Sequence, residues 1–106
     1  MIHEKTNQTI AHCMQLLYKY TKEIDIYIND LEHDILIPIS QLLDFEHQYL
    51  PHTLELEHFI DLPCSNEPLQ NMLEKVYKRF LKKSYQFHLL IDKYMFTQTE
   101  EKNDYP

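Results

Sequence analysis

The chain is short, acidic and free of glycine. It has 106 residues, a formal net charge of −7 at pH 7, and 43% hydrophobic and 25% charged residues, which is the composition of one globular domain. The absence of Gly excludes glycine-rich phosphate loops, dinucleotide fingerprints and nucleophile elbows, because each needs a backbone that only Gly allows. No apolar run approaches the roughly 20 residues that span a bilayer, and the first residues lack a signal peptide's basic and apolar blocks. We therefore expect a cytoplasmic protein outside the membrane.

The first predicted helix carries core-facing residues at intervals that alternate between four and three positions. This spacing is typical of a heptad seam. The helix is expected to run from about Thr6 to about Leu36 and to end before Pro38, because the residue that precedes a proline avoids helical geometry. Thr21 is the only polar member of the seam. Its members are Ile10, Met14, Leu17, Thr21, Ile24, Ile28, Leu31 and Ile35.

The middle segment continues the heptad spacing through a proline. A proline inside a helix removes a hydrogen bond and clashes with a carbonyl one turn back, so we predict a helix that is kinked or split at Pro51. His52 falls in the seam beside this proline. It is expected to bond to a freed carbonyl, and a pH-sensitive or partner-sensitive switch is the alternative. The seam comprises Leu42, Phe45, Tyr49, His52, Leu56 and Phe59.

The last predicted helix has a well-marked start. Ser65 or Asn66 can cap it, and Pro68 is tolerated in a first turn. It is expected to end near Met95–Thr97, and the polar residues beyond it, 98–106, are predicted to form a flexible tail. Its seam has one charged member, Lys83. The seam comprises Leu69, Leu73, Val76, Phe80, Lys83, Phe87, Leu90 and Tyr94.

Three long helices predict an all-α fold. The expected architecture is a heptad-patterned, up-down-up bundle in a single domain, residues 1–97, and a split at Pro51 would raise the helix number to four. The middle seam, however, continues the phase of the first helix through Pro38. A single long bent helix that pairs as a coiled coil in a homodimer is therefore the alternative.

The two long seams also predict a register. A parallel alignment of Ile10 with Leu69 places Ile24 beside Lys83. The same alignment leaves the two cysteines too far apart for a disulfide. We therefore predict two free thiols, Cys13 and Cys64.

Charge is segregated along the chain. No Lys or Arg lies between Lys22 and Lys75, a stretch that holds twelve Asp and Glu residues. Five cations follow at once, between Lys75 and Lys83. Either the basic helix lies near the acidic segment and reduces its self-repulsion, or an acidic face meets a basic partner. Nucleic-acid binding by the basic stripe is a weaker alternative in a net acidic chain.

Two carboxylate–histidine pairs have the spacing of metal ligands. Asp44 with His47 and Glu55 with His58 are each three residues apart, as in carboxylate-bridged di-iron bundles. Relative to the seam, however, Asp44 and His47 point outward, and the long seams offer no further carboxylate. We therefore predict no metal ligand, no cofactor and no catalytic residue.

The main functional hypothesis is a non-enzymatic protein–protein interaction module. It would act as an adaptor, inhibitor or assembly subunit and would bind a basic partner through its acidic helical face. The alternatives are an acidic nucleic-acid mimic that blocks a DNA- or RNA-binding protein, a di-iron-like metal-binding bundle, and a nucleic-acid binder that uses the last helix. The candidate partner-binding residues are Asp44, Glu46, His47, His52, Glu55, Glu57 and His58.

Overall fold

The computed structural model describes the backbone of residues 4–103 and the side chains of residues 4–97. Over this range the chain is helical and contains no strand, which confirms the all-α class. No helix of the described range is both long and apolar enough to cross a membrane. The elements are α1 (Asn7–Glu32), α2 (Ile39–Tyr49), a 3-10 turn (Leu50–His52), α3 (Thr53–Asp61) and α4 (Glu67–Asn103).

Helix α1 begins at a capping box and ends earlier than predicted. The Thr6 hydroxyl accepts a hydrogen bond from the Thr9 backbone N–H, and the Thr9 hydroxyl accepts one from the Thr6 N–H, both at 3.1 Å. The helix ends at Glu32 because Asp34, two residues on, takes a left-handed φ of 58°. The predicted end near Leu36 is therefore wrong.

The join between α1 and α2 is not helical. Pro38 caps α2 with an extended backbone, so the alternative of one continuous bent helix is also wrong. The hydroxyl of Tyr94, on α4, donates a hydrogen bond to the Ile37 carbonyl at 2.9 Å and accepts one from the Ile37 N–H at 3.3 Å. These two bonds hold the join against the second half of α4.

The middle segment is divided at Pro51. This residue lies in the 3-10 turn between α2 and α3, where its missing N–H leaves no gap in an α-helical ladder. The Thr53 hydroxyl donates to the Leu50 carbonyl at 2.8 Å. This hydrogen bond links the turn to the first residue of α3.

Contacts at two heights show that α1 and α4 lie side by side and run in the same direction. At their starts, the Asn66 side chain donates to the Asn7 side chain at 3.3 Å. In the middle, Lys83 and Asp25 form an ion pair of 2.9 Å, one residue from the predicted register. The α2–α3 segment returns from the far end to the near end, where the Lys5 N–H donates to the Pro63 carbonyl at 2.9 Å.

The core lies where α1, α2 and α4 meet. Tyr49 is fully buried there, with ring centroids 5.6 Å from Phe45, 5.6 Å from Phe80 and 5.7 Å from Tyr20. Tilted and edge-on contacts of this kind add to the gain from apolar burial. Most seam residues are buried or half-buried, but Ile35 is exposed because α1 ends before it. The predicted seams omitted the buried residues Ile37, Ile60 and Ile91.

Both polar members of the long seams have hydrogen-bond or ionic partners. The buried Thr21 hydroxyl donates to the Leu17 carbonyl at 2.7 Å, and Lys83 is half-buried in its ion pair with Asp25. Neither side chain therefore leaves an unsatisfied group in the core, which would carry a desolvation cost.

Helix α4 is longer than predicted. It runs to Asn103, beyond the expected end at Met95–Thr97, so the backbone of 98–103 continues the helix. The remainder of the predicted tail, 104–106, lies outside the described residues.

Candidate partner-binding surface on α2 and α3

Helices α2 and α3 turn most of their charged side chains outward. Leu42, Phe45 and Tyr49 face the core from α2, and Leu56 and Ile60 do so from α3, so most of the residues between them are exposed. Neither helix contains a Lys or Arg. Six of the seven candidate residues are exposed, and we call them the acidic surface. They are Asp44, His47, His52, Glu55, Glu57 and His58.

Glu46, the seventh candidate, does not belong to this surface. It is 5% exposed, and its carboxylate lies 3.1 Å from His88 Nδ1 on α4. The other ring nitrogen of His88 lies 3.5 Å from Asp92. Glu46 therefore joins α2 to α4 and is not available to a partner. Its position one turn after the core residue Leu42 is the sequence signal for this orientation.

His52 is exposed, not packed in a seam. Its side chain is 58% exposed, and its Nδ1 lies 3.5 Å from the Glu55 carboxylate. The expected bond to a freed backbone carbonyl is not found. The 3-10 turn rotates His52 away from the core, because a turn of three residues advances the chain by a different angle from an α-helical turn.

Two exposed leucines accompany the acidic surface. Leu50, in the 3-10 turn, is 41% exposed, and Leu54, in the first turn of α3, is 67% exposed. The seam pattern did not select them because they fall between its members. Protein interfaces commonly combine an apolar centre with a polar rim, so these leucines make the surface better suited to a protein than charge alone would.

An apolar groove of about 660 Å³ lies beside the acidic surface, between α1 and α3. Leu16 of α1 and both Leu56 and Phe59 of α3 line it. On α3, Glu55 precedes Phe59 by one turn, which places a carboxylate on the same side of the helix. The groove can therefore receive apolar side chains next to negative charge.

Lys5 fixes the end of α3 that borders this groove. Its buried ammonium donates to the Ile60 carbonyl at 2.6 Å and to the Gln70 side chain, and it lies 5.5 Å from the centre of the Phe59 ring. Burial lowers the pKa of Lys5, although nearby acidic groups, with Cys64 first, partly oppose this effect. The position of Lys5 outside the predicted helices concealed this role.

The candidate metal ligands stay apart from any third ligand. Among the described residues, no group of three or more His, Cys, Asp or Glu side chains is placed to hold a metal ion. Both cysteines are free. Burial raises the pKa of the Cys13 thiol, and the half-buried Cys64 thiol donates to the Asn66 carbonyl at 3.4 Å.

The basic residues of α4 do not neutralise the acidic surface. Among the described side chains, the only ion pair of a Lys or Arg joins Lys83 to Asp25 of α1. The other four cations of this stretch are exposed and form no ion pair: Lys75, Lys78, Arg79 and Lys82. The basic helix nevertheless lies near the acidic segment, because Lys83 pairs with Asp25 of that segment and Lys78 lines a groove together with Glu57 and Asp61.

The side chains of the acidic surface can bind a partner that carries cations and apolar residues. Carboxylates accept charge-assisted hydrogen bonds from Lys and Arg, and exposed leucines bury apolar area on contact. Comparisons with models of known protein families, with curated proteins and with solved structures find no match.

Proposed function

We propose that the chain is a cytoplasmic, non-enzymatic interaction module, an adaptor, inhibitor or assembly subunit. In this proposal it is a heptad-patterned, up-down-up bundle that binds a basic protein through the acidic surface. One observation carries the proposal. Six charged or histidine residues of the α2–α3 segment are exposed, Leu50 and Leu54 of the same segment are exposed as well, and neither helix contains a Lys or Arg.

Charge is the first source of recognition. Three exposed carboxylates of the acidic surface, Asp44, Glu55 and Glu57, produce a negative potential that attracts cationic surfaces and repels nucleic acid. Complementary charge mainly raises the association rate and selects the partner. We therefore expect the association rate of the complex to fall as salt concentration rises.

Apolar contact is the second source. An amphipathic helix can place its apolar side in the groove beside Leu16 and Phe59, and its basic side can meet Glu55. Leu54, exposed on α3 next to Glu55 in sequence, supplies a further apolar contact. Such buried contacts mainly determine how slowly a complex dissociates.

The test compares two charge-reversed variants with the wild type. The first variant carries Asp44→Lys, Glu55→Lys and Glu57→Lys. Glu46 is excluded from this set because its reversal would bury a lysine. The matched control carries Lys75→Glu, Lys78→Glu and Lys82→Glu, which reverses the same number of exposed charges on α4. Each protein is immobilised and exposed to lysate of the source cells, and the captured proteins are identified by mass spectrometry.

The expected result is a basic protein that the wild type and the control both capture and the first variant does not. Circular dichroism should show equal helicity in all three proteins. Capture of the same protein by wild type and first variant alike would contradict the proposal. A captured protein with a strongly acidic surface would contradict it as well.

A further inference from the structure

A second groove lies on the opposite side of α1, between α1 and α4. Its volume is about 400 Å³, which is within the range of about 300–1,000 Å³ for small-molecule sites. Three cations line it: Lys22 from α1, and Lys75 and Arg79 from α4. Tyr18 and Asp25 also line the groove. The site is therefore built by two helices and not by one basic stripe.

Among the side chains that the structure describes, no carboxylate forms an ion pair with any of these three cations. The acid of this groove, Asp25, lies 2.9 Å from Lys83, and this fourth cation balances its negative charge. The chain carries only 10 Lys and Arg against 17 Asp and Glu. Three unpaired cations in one groove therefore form a positive site on a negatively charged molecule.

Holding these cations together costs electrostatic energy. Lys75 and Arg79 are four residues apart on α4, a spacing at which like charges repel each other, and Lys22 faces them from the other wall of the groove. A small anion of high charge would relieve this repulsion and would receive charge-assisted hydrogen bonds from both walls. The planar guanidinium of Arg79 can donate two parallel bonds to one anion, and the Tyr18 hydroxyl can donate another.

We propose that this groove binds the phosphate group of a small phosphorylated molecule, such as a diphosphate. Phosphate matches the site better than a carboxylate does, because it brings more charge and more acceptor oxygens to three cationic donors. The site is independent of the acidic surface, which lies on α2 and α3. The two proposals can therefore fail separately.

Pyrophosphate is the probe for this site. It is added to isotope-labelled full-length chain in phosphate-free buffer, and amide resonances are followed by NMR. We expect saturable shifts confined to residues 18–25 of α1 and 75–83 of α4. We also expect the melting temperature to rise with pyrophosphate concentration, because a ligand that binds only the folded state stabilises it.

Matched charge reversals identify the site. A variant with Lys22→Glu and Arg79→Glu should lose about tenfold or more of the affinity for pyrophosphate. A control with Lys19→Glu and Lys93→Glu makes the same change in net charge on the same two helices, outside this groove, and should stay within about twofold of wild type. Arg79→Lys keeps the charge and removes the planar fork, so it should give an intermediate loss and stay folded.

Three results would overturn the proposal. The first is the absence of saturable shifts. The second is an equal loss of affinity in the reversal and its control, which would mean unspecific attraction. The third is a single-stranded oligonucleotide that binds, through Lys78 and Lys82, when pyrophosphate does not. That result would favour a nucleic-acid surface on α4.

Discussion

At the scale of single residues, Tyr49 is fully buried and carries a hydroxyl without a hydrogen-bond partner. Its hydroxyl is the buried side-chain polar atom of the described residues that has no hydrogen-bond partner. Leaving such a group unpaired costs about 1–3 kcal/mol. Tyr49→Phe keeps the ring and removes the hydroxyl, so urea melts should show equal stability or a gain of about 1 kcal/mol. Tyr49→Ala, which leaves a cavity, should lose about 3–5 kcal/mol. A clear destabilisation by the phenylalanine would mean that the hydroxyl has a partner after all.

The same residue predicts how stability depends on alkaline pH. Burial, and then the charge of Glu46, raise the pKa of Tyr49 above its ordinary value of 10.0. The unfolded chain therefore loses this proton at lower pH than the folded chain does. The contribution of Tyr49 to the free energy of unfolding is therefore fully present below about pH 10, and it is lost as pH rises above 10. Urea melts at increasing alkaline pH should show a shallower decline for Tyr49→Phe than for wild type. Parallel declines would contradict the assignment.

The pair of Glu46 and His88 makes a further prediction at this scale. His88→Ala leaves a buried carboxylate without its partner, which costs about 1–3 kcal/mol. The His88 side chain is half-exposed, so water can take its place beside Glu46 and keep the loss near the lower end of that range. Glu46→Gln removes the charge and should cost less. Asp92→Ala serves as the control and should be nearly silent, because Asp92 is exposed. Denaturant melts of the three variants should follow that order, and equal losses from His88→Ala and Asp92→Ala would contradict it.

At the scale of elements, α3 depends on one side chain from outside it. The Lys5 ammonium donates hydrogen bonds to the Ile60 carbonyl in the last turn of α3 and to the Gln70 side chain of α4. A cation is favoured at this end of a helix by the helix dipole. Lys5→Met should therefore weaken α3 selectively, at a cost of about 1–3 kcal/mol. Hydrogen exchange should accelerate in α3 before α1. Uniform acceleration, or none, would show that Lys5 does not hold this helix.

The elements themselves could be predicted from sequence where their periodicity was strong. The spacing from Ile10 to Ile28 identifies the buried face of α1, and Pro51 marks the break between α2 and α3. The end of α1 could not be found this way. Its left-handed residue is Asp34, and an aspartate signals that conformation much less clearly than a glycine does.

Periodicity also fails where burial depends on a distant partner. Lys5 and Glu46 are buried because Ile60, Gln70 and His88 receive them, and those partners are far away in the chain. For the candidate site, the pattern of acidic residues and histidines selected seven residues, of which six are exposed and Glu46 is buried. The exposed leucines and the two grooves depend on how the helices pack against one another. Helical periodicity in a single sequence does not reveal that packing.

At the scale of the whole molecule, the two candidate sites differ in charge and lie on different helices. The acidic surface lies on α2 and α3, whereas the groove of Lys22, Lys75 and Arg79 lies between α1 and α4. The molecule is elongated, with extents of 66 × 26 × 16 Å. Separation of charge over an elongated body orients it in the field of a charged partner. The acidic surface should therefore meet a basic partner first.

The association rate of the captured basic partner tests the central claim most directly. It is measured over a series of NaCl concentrations for the wild type and for the variant with Asp44→Lys, Glu55→Lys and Glu57→Lys. We expect fast association of the wild type that slows steeply with salt, and slow association of the variant that hardly responds to it. Leu54→Ser should mainly raise the dissociation rate. Equal association rates of wild type and charge-reversed variant at every salt concentration would contradict the claim that the acidic surface recognises the partner.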